Sequence, residues 1–142
     1  MDKILIDTDV ILDFFFDRQP FSEFAARIFS LCELQEMQGF VTPVICSNVY
    51  YLLRQTAKHE KVIEKLSQLL TITDVLMMDK QIVIQALSSD FKDFEDALQN
   101  FAAENHAGIN GILTRNTKDF KNSKLGVMTP ENYLKSRTTD HQ

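Results

Sequence analysis

Apolar positions along the chain alternate between short unbroken runs and longer stripes with helical spacing. The first run, Ile4-Leu5-Ile6, is followed at once by Asp7-Thr8-Asp9. An unbroken apolar run reads as a strand covered on both faces, as strands of a parallel sheet are. Residues 10–16 then predict a short apolar helix ended near Pro20, and Phe14, Phe15 and Phe16 within it are either core or a surface for a partner. Ser22 reads as the N-cap of a helix carrying Ala25, Ile28, Phe29, Cys32 and Leu34, stopped by Gly39. A strand and turn at 39–43 lead into a helix from Pro43, whose last turn Arg54 and Lys58 close, and an amphipathic helix covers 61–70. A third strand spans 74–78, Asp79 caps a helix through Leu87, and a helix opening at Asp90 runs to about His106. Residues 109–114 and 126–128 are the last strands, Pro130 fits the first turn of a closing helix, and the tail 137–142 is expected to fray.

Strands separated by helices throughout imply crossover connections and parallel pairing. The expected fold is α/β: a three-layer α/β/α sandwich around a parallel sheet of about four to five strands, one domain over 1–136. The 142 residues, 44% hydrophobic and 25% charged, fit one such domain. No run approaches the ~20 apolar residues of a membrane span. The first residues lack a basic segment leading into an apolar one, so a cytoplasmic location is expected. Cys32 and Cys46 lack metal-type spacing and read as buried reduced thiols. The net charge of -5 argues against diffuse attraction to nucleic acid; with a polyphosphate partner something must neutralise the acids, as a divalent cation would.

Candidate chemistry gathers where apolar runs end. Ligand crevices of open α/β sheets lie outside the C-terminal edge of the strands. Asp7, directly ending a buried strand, has no capping role to explain it and is the better candidate there. Asp9 either caps the next helix or shares the site. Asp93 and Asp96, three apart on a predicted helix with Asn100 on the same side, can face one target or merely complement the helix N-terminus. The segment 112–120 repeats the opening design, so Thr114, Asn116 and Asp119 either reach the same edge or shape a turn.

Three segments taken together, Ile6-Asp7-Thr8-Asp9-Val10-Ile11-Leu12, Asp93-Phe94-Glu95-Asp96-Ala97-Leu98-Gln99 and Leu113-Thr114-Arg115-Asn116-Thr117-Lys118-Asp119-Phe120, resemble PIN-domain proteins, and most of all the VapC-like toxin ribonucleases. The resemblance implies a Mg²⁺- or Mn²⁺-dependent ribonuclease. By position, Asp7 looks like the first metal ligand, Asp96 like the acid of the central helix with Asp93 supporting it, and Asn116 with Asp119 like the late polar pair; Thr8 and Thr114 look like site-shaping hydroxyls. One departure stands out. The stretch around Asn48 resembles the segment where the family usually carries a glutamate, and asparagine offers an oxygen but no charge. Asp9 is a candidate to restore it.

The chemical expectation is that clustered carboxylates stay ionised together only around a cation, which would activate water and offset charge on the scissile phosphate. Asp96 would orient the water, and Arg54, Arg115, Lys118, Lys121 and Lys124 are candidates for the RNA backbone. The resemblance also implies an antitoxin partner and a homodimer. Two rival readings remain: a catalytically weakened PIN-fold binding protein, and a phosphatase of haloacid-dehalogenase type, whose opening Asp7-Thr8-Asp9 also resembles.

Overall fold

The structure, a computed structural model, describes residues 1–140. Its centre is β1 (Asp2–Ile6), whose last three residues are buried as their apolar run predicts. It is flanked by β2 (Met37–Val41) and β4 (Gly111–Leu113), with β3 (Thr73–Val75) beyond β2 and β5 (Gly126–Met128) beyond β4. All four pairings of this five-stranded sheet are parallel, and Ile4 lies opposite both Gly39 and Gly111. The crossovers are helical: α1 (Thr8–Phe15), α2 (Phe21–Glu33), α3 (Pro43–Arg54), α4 (His59–Ile72), α5 (Lys80–Leu87) and α6 (Phe94–Glu104), with α7 (Pro130–Asp140) closing the chain. This is the expected three-layer α/β/α sandwich. Leu5, Ile6, Ile11, Ile28, Ile45 and Ile112 are almost fully buried in its core. Among the described residues no helix is long and apolar enough to cross a membrane.

The strand order fixes where a site can form. The chain moves outward from β1 through β2 and β3, then returns to the other side of β1 as β4. Beside β1 the connections therefore part, which opens a crevice at the C-terminal ends of β1 and β4.

Several boundaries differ from the sequence expectation, each for a local reason. Ser22 is not an N-cap: α2 starts at Phe21 after Pro20, and Ser22 is buried within it. Nor does Gly39 stop that helix. Gln35, at φ 59°, does so, with its N–H on Cys32 O and that of Glu36 on Leu31 O, the paired bonds of a Schellman turn. Gly39 lies inside β2 because a Cβ there would come within 2.8 Å of Cys32 Sγ and 2.9 Å of Ile6 Cδ1. The expected helix from Asp90 begins only at Phe94, the expected strand 74–78 is displaced to Thr73–Val75, and 109–114 shortens to β4. Helix α7 continues to Asp140, so much of the segment expected to fray is helical, and 141–142 lie outside the described residues. Cys32 is buried, Cys46 is half-buried, and both are free thiols.

Candidate functional site

The site is built from the two strand ends at the crevice. Past Ile6 the main chain stays paired, with Asp7 N–H on Leu113 O at 3.0 Å and Thr114 N–H on Met128 O at 3.1 Å. Contrary to expectation, Asp7 does cap a helix: it is the N-cap of α1, and its Oδ1 accepts the Thr8 N–H at 2.8 Å. Its Oδ2 accepts the Thr114 hydroxyl at 2.9 Å, so one carboxylate ties the end of β1 to the end of β4. Asp9, in the first turn of α1, does not cap it. Its Oδ2 accepts the Arg115 N–H at 3.0 Å and, more weakly, Asn116 Nδ2 at 3.4 Å, while its Oδ1 is buried with no hydrogen-bond partner.

Helix α6 brings the third wall. Asp93 is its N-cap, accepts the Asp96 N–H at 3.0 Å, and is exposed outside the crevice. Asp96, one residue short of a full turn further on, lines the crevice together with Glu95 and Gln99. Asn100 does not share that side: it is fully buried, and its Nδ2 donates to Glu104. Gln99 accepts the hydroxyl of Thr42, which also caps α3 through the Ile45 N–H, so the N-terminal end of α3 is tied to the middle of α6. That tie sets Asn48 of α3 across from Glu95, to which its Nδ2 donates at 2.9 Å. The resulting open crevice has a volume of about 580 Å³ and collects Asp7, Thr8, Asp9, Asn48, Asp96 and Asn116 from separate parts of the chain.

Its electrostatics are those of crowded carboxylates. Burial pushes Asp7 up to about 6, reinforced by the charges of Asp9 and Asp119, although Thr114 and the Thr8 N–H pull it down. Asp96 is pushed up to about 7, by burial first and then by Asp93, Asp7, Asp119 and Glu95. Asp9 is raised too, mainly by burial, with the Arg115 N–H opposing. Asp119 itself is exposed on the short 3-10 turn Thr117–Phe120 and does not line the crevice, yet its charge bears on both Asp7 and Asp96. Among the described residues neither Asp7 nor Asp96 forms an ion pair.

The expected backbone-binding cations fare differently. Arg115 is already engaged: its guanidinium grips the fully buried Asp13 at 2.7 and 2.9 Å and lies 4.0 Å over the Phe21 ring. Arg54 bonds the Ala57 carbonyl, whereas Lys118, Lys121 and Lys124 are exposed. The polar crevice residues that the sequence reading did not single out for the site are Glu95, Gln99, Arg18 and the exposed Tyr51. Glu95 lay inside a quoted motif, but nothing in its spacing distinguished it from a first-turn acid. Arg18 is delivered by a second Schellman turn, in which Asp17 at φ 49° takes the glycine's place.

Whether these residues suit a divalent ion can be judged from the donors. They are oxygens throughout, the preference of Mg²⁺ and Mn²⁺. Asp9 Oδ1 is a buried acceptor lacking a donor, and two raised carboxyls lack a counter-charge. Among the described residues no three acidic, histidine or cysteine side chains stand close enough to enclose an ion by themselves. This fits an ion held by one or two carboxylates and water, the usual habit of Mg²⁺.

The family model for the PIN domain matches residues 3–118. Among solved structures, VapBC2 from Rickettsia felis bound to a promoter DNA fragment superposes with a TM-score of 0.64 at 14% identity, covering 89% of this chain and 98% of the other. VapBC-1 from nontypeable Haemophilus influenzae gives 0.65 at 16%, covering 91% and 98%. The sarcin-ricin-loop-cleaving toxin VapC20 from Mycobacterium tuberculosis gives 0.59 at 19%, covering 77% and 86%. A search of curated proteins finds no match.

Proposed function

Because the chain belongs to the PIN domain family, we propose that it is a metal-dependent endoribonuclease of VapC type, hydrolysing RNA phosphodiester bonds in the crevice between β1 and β4. The observation that carries this reading is the convergence of Asp7 and Asp96, from distant parts of the chain, on one open pocket, where among the described residues neither is ion-paired.

Asp7 and Asp96 would hold a Mg²⁺ or Mn²⁺ ion, with Asp9 and Asn116 at its edge and the charge of Asp119 adding to the attraction. Such an ion, when bound, supplies an activated water and offsets charge on the scissile phosphate. Thr114 keeps Asp7 Oδ2 in place, and the Thr8 N–H holds Oδ1, so the carboxylate cannot swing away. Asp96, half-buried and less confined, orients the attacking water and accepts its proton at a carboxylate oxygen. Arg18 at the rim meets the RNA backbone, and exposed Lys118 adds to its attraction. On the same reading the protein acts in the cytoplasm as a homodimer restrained by an antitoxin-type partner. Solved VapBC neighbours support the partner, and the exposed Phe14 beside half-buried Phe15 and Phe16 is where it would dock.

Incubating the protein with short fluorescent RNAs tests the activity. Cleavage is expected with Mn²⁺ or Mg²⁺, is abolished by EDTA, and falls ~100-fold or more in Asp7→Asn and Asp96→Asn, without a phosphate adduct on Asp7. Metal-independent cleavage, or equal cleavage by the variants, would refute the mechanism.

A further inference from the structure

Glu95 and Asn48 form a pair whose chemistry is not explained by folding alone. Successive helix positions do not face the same way, yet Glu95 and Asp96, the second and third residues of α6, both line the crevice. An acid at the second position of a helix is ordinarily a solvent-facing complement to the helix dipole. Here the carboxylate, still exposed, is also tied across to α3, where Asn48 Nδ2 donates to Oε2 at 2.9 Å. Among the described residues nothing else bonds it, and its second oxygen remains available.

The choice of partner matters. A lysine or arginine at position 48 would orient Glu95 and neutralise it, whereas an amide orients it and leaves the charge intact. Glu95 thus adds an exposed carboxylate to a crevice lining that already holds Asp96, the partnerless Asp9 Oδ1 and a single arginine, Arg18. From this arrangement we infer that Glu95 serves the metal site of this protein as an outer carboxylate that bonds the ion's waters, contributed by α6 and aimed by Asn48. The inference rests on the metal-dependent reading of the crevice. It also accounts for the uncharged residue at position 48: the charge comes from the facing helix, and position 48 has become its holder.

The competing role is that of a staple between α3 and α6, and Glu95→Gln separates the two. Gln keeps an oxygen that accepts from Asn48 and so keeps the staple, but it loses the charge. Mn²⁺ binding by calorimetry and by the loss of free-ion paramagnetic resonance signal is measured for the full chain, with melting in EDTA as the fold control. Glu95→Gln is expected to weaken Mn²⁺ binding ~10-fold or more while melting at or above the wild-type temperature. The double variant Asn48→Glu/Glu95→Gln, which moves the carboxylate to α3, is expected to recover most of that affinity, and Asn48→Ala to lose a smaller part of it. Equal Mn²⁺ binding by wild type and Glu95→Gln, with binding lost in Asp7→Asn, would overturn this inference and leave the metal reading standing. Wild type that binds no Mn²⁺ would overturn both.

Discussion

Asp7→Asn should make the metal-free protein more stable, an unusual result for a buried residue with two hydrogen bonds. The folded state holds the Asp7 proton more tightly than the unfolded chain does, because the carboxyl moves from 3.8 to about 6 through burial and the neighbouring charges of Asp9 and Asp119. For a raised acid the folded protein binds the extra proton, so stability falls as pH rises from about 4 to about 6 and stays low above that. The displacement corresponds to ~3 kcal/mol at pH 8. Asparagine removes that penalty and still caps α1. It has one acceptor oxygen for two donors, the Thr8 N–H and the Thr114 hydroxyl, and forgoing one bond returns ~1 kcal/mol. The net expectation is ~2 kcal/mol of added stability, or ~6 °C in Tm for a chain of this size. Thermal and urea unfolding in EDTA at pH 8 and pH 4.5 measure it. The gain should vanish at pH 4.5, where wild-type Asp7 is protonated. Saturating Mn²⁺ at 100 times Kd should raise the wild type by ~2.7 kcal/mol and leave the variant nearly unmoved. A variant that melts below wild type at pH 8 in EDTA would refute the electrostatic account.

Other outcomes follow from the same geometry. Since the Asp96 carboxyl is pushed up to about 7, protons compete with the ion, and Mn²⁺ affinity should climb between pH 6 and pH 8, by at most ~10-fold per pH unit for each proton displaced; a pH-independent titration would contradict this. Arg115→Ala strips the fully buried Asp13 of its bidentate partner and should cost ~3 kcal/mol in urea unfolding, tempered by Arg18 at 3.6 Å. Arg18→Ala, at an exposed side chain, should change Tm little but weaken RNA binding several-fold and lower its salt dependence by about one charge, read from binding isotherms at two salt concentrations.

How much of this was legible beforehand depended on whether the signal was local. Asp7, Thr114 and Asn116 follow apolar strands, and a parallel sheet leaves only one edge where such residues can meet. The spacing of Asp93 and Asp96 placed both on one turn of α6, but not that the first caps the helix and stays outside while the second enters the crevice. The capping role of Asp7 was missed because Asp7 alone separates the end of β1 from the start of α1, with no loop between them. The end of α2 was misread because Gln35 fills its left-handed position, as Asp17 does after α1, and neither is the glycine that marks such turns. The pairs Asn48–Glu95 and Asp13–Arg115 join residues 47 and 102 positions apart. Each residue alone looked like an ordinary polar position, and only the packing of α3 on α6, or of α1 beside the end of β4, gives it a partner.

The account depends most on the claim that Asp7 and Asp96 converge to hold a divalent ion. Crystals grown with Mn²⁺ and recorded at the manganese absorption edge test it directly. The account predicts one anomalous peak bridging these two carboxylates, absent from Asp7→Asn crystals treated alike. A crevice without manganese while Asp7 and Asp96 are both ionised, or a peak that persists in Asp7→Asn, would contradict it.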